Sequence, residues 1–421
     1  MAMGELLYEL IDTENPLEAM AAWKIYGDLT KDFRLIMTME NYEKDIYPEG
    51  LTNILNQENT DFVPYFQSEK IFFLDDNIMN DMLELPETHI KYDYSIMLDT
   101  NYTSYIEDFL NQQNKPNFPQ ESIYRTIDIM LKNNFNYDYT FYLIENYQNL
   151  FLAGEQEFSV TNKSHLALYK NLYHLELFKS IDSQIYLNER KIEFQITPNE
   201  AQLKTDHLIK SVYKESNGLK IFIEAHKNIK LLLIGIWQIQ FESKASPKNK
   251  MKKLINYMVE KVGIYYEREM ILAYKYFKNP KSVGMLNKIN KGGKQTDLIR
   301  KIENIVWDFL VPRVMEFSIA ANKKNSYFIP LFLSHDKKLK ELIALFKIRG
   351  FIFHRETFEF YPIPEINNTR FFEEEGLIKE IEDIQNQDTE LRRKEVREYN
   401  INTHFEIINV EFDKLAKILN S

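Results

Sequence analysis

Two aspartates stand where short apolar runs stop. Tyr94-Ser95-Ile96-Met97-Leu98 leads into Asp99, and Tyr327–Leu333 leads through Ser334 and His335 into Asp336. Each run has the length and the aromatic and aliphatic content of a buried strand, and a helical pattern follows each aspartate. An aspartate at such a junction caps the helix by accepting from its first N–H groups. The same carboxylate is a hard oxygen donor suited to Mg²⁺ or Mn²⁺. The two roles are compatible. His335 reads as a solvent-facing or packing residue.

Two further carboxylates lie on predicted helices. Glu145 sits beside Tyr142, Leu143 and Ile144, with Asp138 seven residues earlier on the same face. Asp308 belongs to a helix that starts near Thr296. Asp297, Asn304 and Asp308 share one side of it, and Leu298, Ile302, Ile305 and Phe309 form an opposite apolar stripe. Pro312 is expected to break or kink this helix just beyond Asp308. Three or four carboxylates that converge can hold one or two divalent cations. Such cations polarise a phosphoryl oxygen, lower the pKa of a bound water and stabilise a leaving oxygen. For Glu145 and Asp308 the plainer reading is a solvated helix face.

The elements that would position these residues alternate as strand, helices, strand, helix, strand. That is α/β logic with a parallel sheet, in which ligands sit at the carboxyl ends of strands. Residues 1–85 read as an N-terminal helical segment, with helices such as Leu17–Asp28 and Asp32–Tyr42. Residues 86–150 and 255–360 read as two parts of one core, the second holding a third strand at Phe351–His354. Between them, 151–254 is a large, mostly helical insertion. It contains one expected hairpin, Ile185–Ile196, and an apolar helix, Gly218–Phe241, that Gly235 interrupts. Residues 361–421 form a charged tail with helices at Glu390–Tyr399 and Val410–Leu419. No internal repeat is visible.

Composition sets the outer bounds. The chain has 421 residues, a length that predicts two or three structural units, and 44% hydrophobic residues, ample for a large core. It has no cysteine, which removes thiolate catalysis, iron–sulfur clusters and Cys-based zinc sites. The eight histidines show no HExxH or HxH spacing, and no GxxxxGK[ST], GxGxxG or GxSxG occurs. The longest apolar run, Leu231–Trp237, is far short of the ~20 residues of a membrane span. The acidic start, MAMGELLYELIDTENP, lacks the apolar stretch of a secretory signal. A cytoplasmic protein without a membrane partner is expected.

The net charge of −11 argues at first against a nucleic-acid partner. It conceals an asymmetry. Residues 204–301 carry 21 basic and eight acidic residues, a net of +13, against −24 for the remainder. A basic stretch interleaved with Tyr and Trp is the footprint of a phosphate-tracking surface. Lys248, Lys250, Lys252 and Lys253 cluster at one helix start, and Lys291 and Lys294 flank a Gly-Gly pair. The alternative is a solvated face that pairs with acidic parts of the same chain.

The carboxylates also carry a resemblance. SIMLDTN (Ser95–Asn101) resembles the opening strand of PIN-like nucleases, which ends in an aspartate followed by Thr or Ser and Asn. Tyr142-Leu143-Ile144-Glu145-Asn146 is similar to the helix bearing their second acidic residue. Asn304–Asp308 with Phe309 and Leu310 is similar to the third, and LFLSHDKKL (Leu331–Leu339) to the fourth. The resemblance covers about 86–150 and 260–355. It implies a PIN-like core and a Mg²⁺- or Mn²⁺-dependent endonuclease, with Asp99, Glu145, Asp308 and Asp336 as catalytic metal ligands. It favours RNA over DNA and a stress, toxin or phage-defence setting. A haloacid-dehalogenase-type phosphatase fits less well, because its second aspartate would fall at Asn101. The other class of reading is a non-catalytic nucleic-acid-binding or scaffolding protein on a degenerate core. The insertion and tail would then serve a protein partner or a second copy.

Overall fold

The computed structural model describes all residues except 1, 40–59, 69, 86–87, 112–119, 152–157, 160, 215, 293–294 and 322–325. The chain is a mainly helical α/β protein with eight strands among the described residues: β1 Phe33–Thr38, β2 Phe62–Pro64, β3 Ile71–Leu74, β4 Tyr92–Leu98, β5 Tyr137–Asp138, β6 Tyr327–Leu333, β7 Ile348–His354 and β8 Phe360–Pro364. They form two four-stranded sheets, ordered β3-β1-β7-β8 and β2-β6-β4-β5. The first is antiparallel throughout. In the second, β4 runs parallel to both β5 and β6, and β2 pairs antiparallel with β6.

The single parallel sheet expected from the alternation is therefore corrected. The strand at 351–354 joins the antiparallel sheet instead. Its neighbour there is β1, with Leu35 opposite Ile352 and Ile36 opposite Phe351. The helix expected over 32–42 is corrected as well, since Phe33–Thr38 is a strand. All six of its residues are buried. Phe33, Leu35 and Met37 pack with Leu6, Leu10 and Trp23 of the first two helices, whereas Ile36 faces the main core. A strand covered on both faces loses the alternation that would announce it. Residues 1–85 thus supply three strands as well as helices.

The expected hairpin at 185–196 is also absent. Asp182 accepts from the N–H groups of Gln184 and Ile185 at 2.9 and 3.0 Å and starts a helix, Ser183–Glu189. Arg190, at φ 58°, ends it. Only an isolated bridge, Ile181 to Phe194, remains of the pairing.

The long apolar helix Ser216–Glu242 runs without a break. A Cβ at Gly235 would collide with the Tyr257 ring, so this glycine permits close packing of the next helix, Pro247–Tyr257. The Tyr257 hydroxyl donates to the Leu231 carbonyl at 3.2 Å. The two tail helices expected at 390–399 and 410–419 are parts of one continuous helix, Gln387–Asn420, laid along Ser216–Glu242. His404 contacts Glu224 at 3.0 Å and Asn228 at 2.9 Å there, and Gln238 donates to the Glu411 carbonyl at 2.7 Å. Helix Gln295–Ala321 is not broken at Pro312, and Val311, Val314 and Met315 are buried around it. The missing proline N–H deprives the Asp308 carbonyl of its helical partner. Among the described residues no helix is long and apolar enough to cross a membrane.

Candidate functional site

The parallel pair β4–β6 fixes the geometry. Leu98 lies opposite Leu333, and the Asp99 N–H donates to the Leu333 carbonyl at 3.1 Å. Asp99 and Ser334 therefore leave the sheet side by side. The Ser334 hydroxyl donates to Asp99 Oδ2 at 2.7 Å. Both aspartates also cap the helices that follow them. Asp99 accepts from the Asn101 N–H at 3.4 Å at the start of Thr100–Leu110, and Asp336 from the Lys338 N–H at 2.7 Å at the start of Lys337–Ala344.

Glu145 reaches the same edge from helix Thr140–Phe151, where the Thr100 hydroxyl donates to it. The base of that helix is held by Phe141, whose ring meets Phe332 at 4.8 Å and Trp307 at 6.4 Å. Trp307 in turn fixes the stretch that carries Asp308. Asp138 is not on the Glu145 helix. It belongs to β5, bonds the Ser95 hydroxyl, and accepts from the Thr140 N–H at 2.8 Å.

The structure brings Asp99, Glu145, Asp308 and Asp336 into one electrostatic neighbourhood. Burial pushes the Asp308 carboxyl well above its ordinary range; Lys288 opposes this, and the charges of Asp336, Asp99 and Glu145 push it further up. Glu145 is lifted to about 7, first by burial and then by Asp99, against the Thr100 hydrogen bond. Asp99 is raised by burial, with Ser334 and Asn101 opposing. Asp336 goes the other way. Burial would raise it, but the Lys288 ammonium and the N–H groups of Lys338 and Leu339 hold it below its ordinary value.

Lys288 is the only cation ion-paired with any of the four among the described residues. Its Nζ lies 2.9 Å from Asp336 Oδ2 and 3.8 Å from Asp308 Oδ2. Four carboxylates around one ammonium leave a deficit of positive charge. Hard oxygen donors in such a deficit fit a divalent cation. Among the described residues no three Asp, Glu or His side chains are gathered into a ready-made metal cage.

Several members of this neighbourhood have no separate signal in the sequence. Ser334 is an ordinary hydroxyl residue until β4 and β6 pair, and Thr100 is marked only by its place after Asp99 in the motif. Lys288 reads as one lysine of the basic stretch. Asp61, just before β2, is buried and contacts the Tyr102 hydroxyl at 2.5 Å, His335 Nδ1 at 3.0 Å and Lys340 Nζ at 3.2 Å. It thereby braces the segment between Ser334 and Asp336 from behind. His335 is thus held by a buried carboxylate instead of facing open solvent.

The lysine cluster is dispersed by its partners. Lys250 is buried, donates to Gln240 Oε1 at 2.8 Å and lies 6.0 Å from the Phe277 ring centre. Lys252 pairs with Glu380 at 2.6 Å, and Lys253 donates to the Ser243 hydroxyl at 3.1 Å. Lys248 lies against Gly376, where a Cβ would come within 2.8 Å of its Nζ. Lys278 and Lys261 pair with Glu375 and Glu411 of the tail at 2.9 and 3.4 Å. Part of the basic segment therefore pairs with the acidic end of the same chain. Lys291 is exposed, and Lys294 lies outside the described residues. The chain matches no family model, no curated protein and no solved structure.

Proposed function

We propose that the chain is a divalent-cation-dependent phosphodiesterase with a PIN-like catalytic core, cutting RNA in preference to DNA. One observation carries the reading: four carboxylates from four separate elements influence one another electrostatically near the carboxyl edge of a parallel strand pair, and among the described residues only Lys288 is ion-paired with any of them. The preference for RNA, a cytoplasmic setting and a role in stress, toxicity or phage defence rest on the resemblance of the four motifs alone.

Each residue has a task in this reading. Asp99 is the central ligand, oriented by the Ser334 hydroxyl at 2.7 Å. Glu145 is aimed by Thr100, and Asp336 is fixed by its own helix N-terminus. Asp308 completes the set from the opposite helix. A Mg²⁺ or Mn²⁺ ion held by these oxygens would supply Lewis acidity and an activated water. Without it, burial and the neighbouring carboxylates shift Glu145 and Asp308 toward their protonated forms, so loading the site would favour release of protons to solvent.

A non-catalytic scaffold on the same core is the second reading. The exposed apolar residues Ile401 and Phe405, one turn apart on the tail helix, favour it as a partner surface. The test is a cleavage screen of single-stranded RNA and DNA with Mn²⁺, comparing the wild type with Asp99→Asn. Cleavage by the wild type alone supports the nuclease. Equal activity in the two, or none in either, leaves the scaffold.

A further inference from the structure

We propose that Lys288 is the resident cation of the carboxylate site, and that a divalent ion enters only by displacing its ammonium from Asp336 and Asp308. This rests on the reading of the four carboxylates as a metal site.

The ammonium lies between two acids from different elements, 2.9 Å from Asp336 Oδ2 and 3.8 Å from Asp308 Oδ2. A dication bound by the same two oxygens would stand within a few ångströms of Nζ, where like charges repel strongly in a partly buried setting. Both cannot be held there together. The backbone of Lys288 is not free to retreat. It closes a short helical turn, Leu286–Lys288, whose neighbours Met285, Leu286 and Ile289 are buried. The buried Trp237 indole pins that turn by donating to the Leu286 carbonyl at 3.0 Å. The side chain is different: it is 26% exposed and has four rotatable carbons through which Nζ can swing out.

Displacement has two effects. Part of the binding free energy of the dication offsets the lost ion pair, which lowers apparent affinity. The released ammonium then stands at the mouth of a site whose carboxylates would otherwise repel a phosphate.

Titration of the full-length protein with Mn²⁺, read as free Mn²⁺ by electron paramagnetic resonance, tests this. The chains compared are wild type, Lys288→Met, Lys288→Arg, Asp99→Asn and Lys278→Met. Lys278 pairs with Glu375, so its loss makes the same change in net charge away from the carboxylates. The expected result is Mn²⁺ binding about tenfold tighter in Lys288→Met, a change of ~1.4 kcal/mol. Lys288→Arg stays no tighter than the wild type, and Lys278→Met is unchanged. Equal affinity of Lys288→Met and wild type overturns the displacement, as does equal tightening by Lys278→Met. If the wild type binds Mn²⁺ and Asp99→Asn does not, the metal reading survives that failure. If neither the wild type nor Lys288→Met binds Mn²⁺, both readings fall.

Discussion

The Ser334 hydroxyl donates to Asp99 Oδ2 at 2.7 Å while accepting from the Asp336 N–H at 3.1 Å. One side chain thus ties together the two aspartates that end β4 and β6. A hydrogen bond to a charged acceptor is worth about 1.5–3 kcal/mol. Ser334→Ala is expected to slow Mn²⁺-dependent cleavage by about tenfold or more in a chain that still melts cooperatively. Single-turnover cleavage beside a thermal melt checks this. A variant that cuts at the wild-type rate removes Ser334 from the positioning of Asp99.

Glu145 makes stability depend on pH in a defined direction. Its carboxyl rises from 4.5 to about 7 on folding, so between those values the folded chain holds a proton that the unfolded chain has lost. Stability is full below the lower value and declines as pH rises through the upper one. The loss is at most about 3 kcal/mol, and Asp308 acts in the same direction. Glu145→Gln in EDTA is expected to exceed the wild type in stability at pH 8 and to lose that advantage by pH 4. Urea unfolding at the two pH values decides it; an advantage that grows on acidification contradicts the sign.

Glu269 and Arg313 form a bidentate pair at 2.7 and 2.6 Å in the core. Glu269 is 1% exposed. Removing one partner strands the other charge. Glu269→Ala is expected to lose about 3–5 kcal/mol, whereas the double replacement Glu269→Met, Arg313→Met loses much less. Denaturant midpoints of the two variants check this, and similar losses in both would show that packing dominates over charge.

Lys250 points inward while Lys252 and Lys253 remain at the surface, so the cluster does not act as a unit. Lys250→Met is expected to leave the salt dependence of RNA binding unchanged. The joint Lys252→Ala, Lys253→Ala variant is expected to lower the slope by up to about 2. Binding isotherms across a salt series measure both. A slope that falls on Lys250→Met would show that its ammonium reaches the nucleic acid.

Much of the candidate site was legible because its residues stand at strand ends and on helix faces. The apolar runs before Asp99 and Asp336 announced β4 and β6, and adjacent parallel strands bring their carboxyl ends together by geometry. Other features were hidden for identifiable reasons. Phe33–Thr38 is covered on both faces and carries no alternation. The stretch around Tyr186 alternates like a hairpin, yet the Asp182 cap starts a helix there. Gly235 looks like a breaker but serves close packing against Tyr257. Lys288 looks like one of many surface lysines, and only the turn pinned by Trp237 turns it toward the acids. Long-range pairing decides all of these, and no local window contains it.

Asp99 and Asp336 meet only when β6 slides between β2 and β4, and β6 is made more than two hundred residues after β4. During synthesis on the ribosome, a nascent chain that has not yet released residue 336 therefore cannot bring Asp336 beside Asp99. A product ending before β6 lacks both Asp336 and the strand that pairs with β4. The order of translation thus places assembly of this carboxylate edge after most of the polypeptide has emerged.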